Sequence, residues 1–147
     1  MLHLTIQSLD GIQYDWPVKQ ITVPTLSGQI TILPWHQPLV TICTTGLMKI
    51  VPPEIDDSLL GRYIITNKVI NISISQWVLQ IEWDQINIIS AQATNSPTES
   101  LEILEQNKSD LLMKLEMIKV DQNSDAYEDI LNDIQKIDAD IKLSKLK

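Results

Sequence analysis

Up to about residue 94, apolar positions recur at every second residue in short runs: "LHLTIQS", "YDWPVKQITV", "ITIL", "LVTIC", "LMKIV", "YIIT", "VINISIS", "WVLQIEW" and "QINIIS". A period of two, carried by β-branched residues, turns one face of each run toward a core and the other outward, as strands require. Turn formers part the runs at Asp10 and Gly11, Ser27 and Gly28, Thr45 and Gly46, Gly61, Asn67 and Lys68, and Asp84 and Gln85. So many short strands predict two packed antiparallel sheets, a sandwich or flattened barrel enclosing one core. The less regular "PPEIDDSLLGR", 52–62, reads as a loop.

After residue 95 the period lengthens to that of a helix. In "SPTESLEILEQ", Ser96 offers a cap, Pro97 suits the first helical position because its missing N–H is not needed there, and Glu99 completes a capping box. Leu101, Leu104, Leu111, Leu112, Leu115 and Ile118 then form one apolar stripe. "VDQNSD" interrupts it and offers Ser124 or Asp125 as the next cap, after which Tyr127, Ile130, Leu131, Ile134, Ile137 and Ile141 form a second stripe. Two helices, each about 30 Å long and joined by a short polar turn, predict an antiparallel hairpin. The expected class is therefore α+β, with an N-terminal antiparallel β-sandwich domain over 1–94 and a two-helix hairpin domain over 95–147. Each stripe is narrow and must be buried against its neighbour, the sandwich or a partner; where contacts are few, local opening is cheapest.

Apolar residues make up 44% of the chain but aromatics only 5%, with no Phe, so Ile, Leu and Val must build the core. Trp16 and Trp77 are expected to fill it in place of Phe, and Trp35 to stay exposed. A net charge of −8 repels phosphate backbones and anionic headgroups, which argues against nucleic acid and against electrostatic adsorption to membranes. Protein is the remaining partner class. The lone Cys43 allows no internal disulfide and reads as a buried thiol. "MLHLTIQSLDG" has no basic leader region, and no segment approaches the roughly 18 apolar residues of a membrane span, so a soluble intracellular chain without membrane insertion is expected.

Candidate chemistry is sparse. His3 and His36 are the only histidines, far apart and outside any zinc-binding spacing, and no glycine-rich phosphate loop is present. No metal, cofactor or catalytic residue is expected, and Asp56 and Asp57 read as solubilising loop residues. Attention moves to "TVPTLSGQITILPWHQPLVT", 22–41, where Pro34 and Pro38 bracket Trp35 and His36. A connector with two fixed φ angles and an exposed Trp loses little entropy on docking, so His36 reads as a contact residue rather than a general base.

"ITVPTLSGQITILPWHQPLVTICTTGLMKI", 21–50, resembles the epsilon subunit of bacterial F-type ATP synthase, called delta in mitochondria. Val23, Gly28, Ile32, Leu33, Pro34, His36, Pro38, Leu39 and Gly46 match that family's pattern in register. "ISISQWVLQIEWDQINIISAQA" and "DAYEDILNDIQKIDADIKLSKLK" are similar to its later strands and final helix. Thr31 replaces the usual Gly, Trp35 a small residue, and Gln76 and Trp77 a Gly pair, so the member is divergent.

The resemblance implies a non-catalytic rotor subunit that joins the gamma subunit to the c-ring for proton-driven ATP synthesis, held peripherally at the cytoplasmic face of the inner (plasma) membrane. It places a c-ring contact on Gln29, Trp35 and His36, with Pro34 and Pro38 stiffening the loop against torque. It implies a hairpin that lies on the sandwich or extends into the alpha/beta catalytic hexamer to block ATP hydrolysis, with Lys136, Lys142, Lys145 and Lys147 as its basic contacts. "LEILEQNK" lacks the Arg of the family's ATP-binding pattern, so no ATP site is expected. Competing readings are a stand-alone sandwich module with a self-associating helical tail, and a sandwich enzyme using His36.

Overall fold

The computed structural model describes residues 1–95, 99–121 and 124–146. Its elements are β1 (Leu2–Ser8), β2 (Gly11–Val18), β3 (Gln20–Thr25), β4 (Gly28–Ile32), β5 (Leu39–Cys43), β6 (Gly46–Val51), α1 (Asp57–Leu60), β7 (Ile64–Thr66), β8 (Val69–Ile74), β9 (Trp77–Glu82), β10 (Gln85–Ser90), β11 (Ala93–Thr94), α2 (Leu101–Asp121) and α3 (Ser124–Lys145). The period of two becomes structure most plainly in β9, where Trp77, Leu79 and Ile81 are buried while Val78, Gln80 and Glu82 face out. Residue by residue, β10 does the same opposite it.

The strands form two layers. One sheet has the order β2-β1-β10-β9-β5; the other runs β11-β8-β6-β3-β4, with β7 also paired to β8. Between them lies a core built mainly of Ile, Leu and Val, with Met48, Tyr14 and Trp77. The indole N–H of Trp77 donates to the Thr44 carbonyl at 3.0 Å, so this bulky side chain is buried without an unpaired polar atom. Pairing is antiparallel except between β1 and β10, which run parallel with Leu4 opposite Ile86 and Ile6 opposite Ile88. Alternation along a strand carries no direction, so that pair is not readable from the pattern.

Both sides of β8 are covered. Ile70, Ile72 and Ile74 enter the core, while Asn71 and Ser73 lie buried on the side where α3 packs against β8 and β6. Asn71 resolves its burial by donating to the Ile64 and Val69 carbonyls and to Thr66 Oγ1. The helices are antiparallel, bridged by Lys108 and Asp138 at 2.5 Å, and α3 buries Ile134, Ala139, Ile141 and Leu143. Leu104 of α2 is buried, but Leu112 is exposed, and Tyr127, Ile130, Leu131 and Ile137 are only half-buried.

Four expectations change. The 52–62 segment is not all loop: Asp56 accepts from the backbone N–H groups of Ser58 and Leu59 and starts the one-turn helix α1. Trp16 is not core but 42% exposed, edge-on to Tyr14 and beneath the Arg62 guanidinium. The β9–β10 turn falls on Trp83 and Asp84, one residue earlier than the turn chemistry indicates. Lastly, α2 starts at Leu101, where Ser100 Oγ accepts from the Ile103 N–H; the expected Ser96 cap, Pro97 and the Ser96–Glu99 capping box lie outside the described residues, and Glu99 accepts from Asn107.

Candidate functional site

The β4–β5 loop carries the strongest local signal. Trp35 is 91% exposed and sits at a φ of 71°, between two prolines that fix their own φ. His36 Nδ1 bonds to the Gln37 carbonyl at 2.7 Å, the one side-chain hydrogen bond of this histidine among the described residues. With no hydroxyl or thiol nucleophile bonded to it, His36 has the setting of a surface contact and not of a general base. Gln29 is also exposed but does not share that tip. It pairs with Pro24 beside the β3–β4 hairpin, whereas the Trp35 loop leaves the far end of β4, about 10 Å of strand away. What unites them is the edge: β4 is the outermost strand of its sheet, so Gln29, Trp35 and His36 lie along one rim of the sandwich.

A second surface goes beyond the sequence-based expectations. The outer face of the five-stranded sheet exposes Ile12, Val40, Ile42, Val78 and Ile89. Ile42 lies opposite Val78 and Val78 opposite Ile89, and the row continues through Gln7 to Ile12. These side chains form an aliphatic band over β5, β9 and β10, which Gln7 separates from Ile12, while on the opposite outer face of the sandwich α3 covers β8 and part of β6 and leaves Lys49, Gln29 and Thr31 exposed. Its signal lies in "LVTIC", where the phase that faces solvent, Val40 and Ile42, is as apolar as the phase that ends in buried Cys43.

The tail lysines separate. Lys142 and Lys145 are exposed on the last turns of α3, where they complement the helix dipole. Lys136 points inward, only 5% exposed, donating to Thr94 Oγ1 at 2.9 Å and to Asp140 Oδ1 at 2.6 Å. Desolvation lowers its pKa from the ordinary lysine value, against the opposing pull of Asp140. Beside it opens a cavity of about 400 Å³ whose lining includes Gln92, Lys114, Asp110, Asp133 and Asp140. Lys147 lies outside the described residues.

Cys43 is buried in the sandwich, and burial pushes its thiol up to about 11, which makes it an inert core residue. His3 bonds to Asp15, which also accepts from Thr5, a cross-strand surface pair. Among the described residues no group of three His, Cys, Asp or Glu side chains is placed to hold a metal, and no helix is long and apolar enough to cross a membrane.

An exposed tryptophan on one rim, an aliphatic band on one sheet face and a helical hairpin on the other define the class: a β-sandwich followed by two long helices. The chain belongs to the ATP synthase delta/epsilon family: the family model described as "ATP synthase, Delta/Epsilon chain, beta-sandwich domain" matches residues 1–96. The ATP synthase epsilon chain of Nitrosomonas eutropha is 24% identical over 122 residues, covering 76% of this chain and 79% of that one. The chloroplastic epsilon chain of Coffea arabica is 41% identical over 49 residues, 33% of this chain and 37% of that one. A chain of the Euglena gracilis mitochondrial ATP synthase superposes with a TM-score of 0.68 at 18% identity, covering 99% of this chain and 81% of its own. A chain of the Tetrahymena thermophila central stalk and c-ring structure gives 0.51 at 10% identity, covering 64% of this chain and 66% of its own.

Proposed function

We propose that this chain is the non-catalytic central-stalk subunit of a rotary ATP synthase, linking the gamma subunit to the c-ring. The observation that carries the reading is the contrast between the two outer faces: α3 covers β8 and part of β6 on one, whose exposed positions are the polar Lys49, Gln29 and Thr31, and the other leaves the Ile42–Val78–Ile89 band in water. An aliphatic band that the chain's own helices do not cover is suited to a large, stable partner, and gamma is the partner assigned to it. The c-ring is assigned to the β4 rim, met along its edge so that Gln29 and the Trp35–His36 loop touch together. Pro34 and Pro38 make that loop stiff enough to carry torque with little entropy lost on docking.

The hairpin is assigned a regulatory role, since only part of its apolar stripe is buried and its anchor is polar. Released from the sandwich, it would carry Lys136, Lys142, Lys145 and Lys147 toward the alpha/beta hexamer and restrain ATP hydrolysis. The complex is placed at the cytoplasmic face of the inner (plasma) membrane, with this chain peripheral. Affinity purification of the tagged chain tests the core of the reading: recovery of gamma and the catalytic subunits supports it, whereas a solitary homodimer contradicts it. A Trp35→Cys variant that forms a disulfide with a cysteine placed in a c-ring loop supports the rim assignment, and failure at both Gln29→Cys and Trp35→Cys refutes it.

A further inference from the structure

Trp35 and Trp83 share properties that the sandwich does not require. Both have positive φ, 71° and 55°, a conformation that crowds any side chain and is normally left to Gly or Asn. Both are widely exposed, Trp83 at 69%. They are also neighbours in the fold: β5 pairs with β9, Leu39 facing Ile81, so the loop before β5 and the turn after β9 leave the same end of the same sheet. Leu33 and Met1 add exposed apolar surface to that end, where β1 is tied down by the His3 N–H to the Asp84 carbonyl at 2.7 Å. A Trp in a two-residue turn thus bears both backbone crowding and hydration of its ring, with no gain to the free chain.

Charge selects the partner. Trp83 lies between Glu82 and Asp84, both exposed, in a chain of net charge −8. Lys19, on the crossing from β2 to β3 at the far edge of this sheet, and Lys68, on the β7–β8 turn of the other sheet, stand at the same end but away from the β9–β10 turn. Indole faces attract cations, and carboxylates close by add a separate charge attraction for the same group. We infer that the Trp35–Trp83 end docks a basic segment of a neighbouring polypeptide, an Arg or Lys side chain lying over the indoles with Glu82 and Asp84 as counter-charges. This rests on the reading of Trp35 as a rotor contact and adds Trp83, Glu82 and Asp84, which that reading does not use.

The test uses the ATP synthase complex purified with this chain. Trp83→Gly relieves the turn, so the isolated variant melts a few degrees higher than the parent, yet its retention in the complex falls at least about tenfold. The double variant Glu82→Gln, Asp84→Asn loses the salt dependence of retention between about 50 and 300 mM. A Trp83→Gly chain retained as firmly as the parent overturns the inference, while a Trp35→Cys cross-link to the ring would still uphold the rotor reading. Weakened retention with no such cross-link separates the two in the other direction. Binding of the parent to anionic vesicles, lost in Trp83→Gly with retention in the complex unchanged, assigns the surface to lipid and likewise overturns the inference.

Discussion

Lys136 on α3 donates to Thr94 on β11 across 2.9 Å, fastening the helical hairpin to the sandwich through a nearly buried ammonium group. Asp140, one turn along the same helix, supplies the counter-charge. Close by, Ser73 pairs with Thr94 in the sheet, and its buried hydroxyl has no hydrogen-bond partner among the described residues. An unmade hydrogen bond and a desolvated lysine both weaken the seam, so the docking of α3 is less favourable than its aliphatic contacts alone would make it.

Removing Lys136 alone nevertheless deletes the bond to Thr94 and leaves Asp140 without its counter-charge, so Lys136→Ala should loosen the hairpin selectively. Amide exchange of α3 is expected to accelerate by about one to two orders of magnitude, while the core strands keep their protection. Uniform acceleration over the whole chain would show that the anchor serves global stability instead. Ser73→Ala removes the orphan hydroxyl and should act in the opposite sense, slowing α3 exchange.

Cys43 sets an alkaline limit. Its thiol ionises at about 11 in the fold against an ordinary 9.0, so between those values the unfolded chain holds fewer protons than the native one and stability falls as pH rises. The contribution is complete below about pH 9. Tyr14 and Tyr63, both raised chiefly by burial, add to the decline above pH 10. Lys136 opposes it, because its lowered pKa means that the burial penalty on its charge is lifted as pH climbs toward 10.5. Urea titrations should show a plateau below pH 9 and a fall above it, with a shallower fall in Cys43→Ala; equal slopes would contradict the assignment.

The four tryptophans should not be equivalent. Trp77 is enclosed and hydrogen-bonded, so Trp77→Ala is expected to cost about 3–5 kcal/mol. Trp16 loses only an edge contact with Tyr14 and an Arg62 guanidinium at 5.6 Å, and Trp16→Ala should cost about 1 kcal/mol. Equilibrium unfolding of both variants decides the ranking.

Two glycines with open space where a Cβ would stand should differ in sign. Gly28 has a φ of +113° in the β3–β4 hairpin, and Gly28→Ala should destabilise by about 1–2 kcal/mol through backbone conformation alone. Gly61 closes α1 at a φ of −85°, which alanine adopts freely, so Gly61→Ala should be neutral or stabilising by about 0.5 kcal/mol. A loss at Gly61 matching that at Gly28 would contradict this.

Legibility from sequence follows the physics of each signal. Period two in "WVLQIEW" carries both the strand and its buried face, because burial is what the alternation records. It says nothing of strand direction, hence the parallel β1–β10 pair, and little of sheet edges, hence Gln29 and Trp35 along a rim and not at a tip. Trp83 reads as the end of a strand because the left-handed backbone at that position has no residue-type signature when a bulky side chain occupies it. Asp56 capping one turn of helix is hidden by its setting between prolines and a glycine, where loop composition dominates. The exposed band is half visible: "LVTIC" lacks a polar phase, but only the register with Val78 and Ile89 makes scattered residues into a surface.

The uncovered sheet face is tested most directly by amide exchange of β5 and β9 in the free chain and in the assembled ATP synthase. β5 is an edge strand bearing Val40 and Ile42 of the band, so its amides should exchange quickly in isolation and become strongly protected on assembly, with β9 protected alongside. New protection confined to β6, β8 and the hairpin, with β5 and β9 unchanged, would place the partner on the opposite face and contradict the assignment.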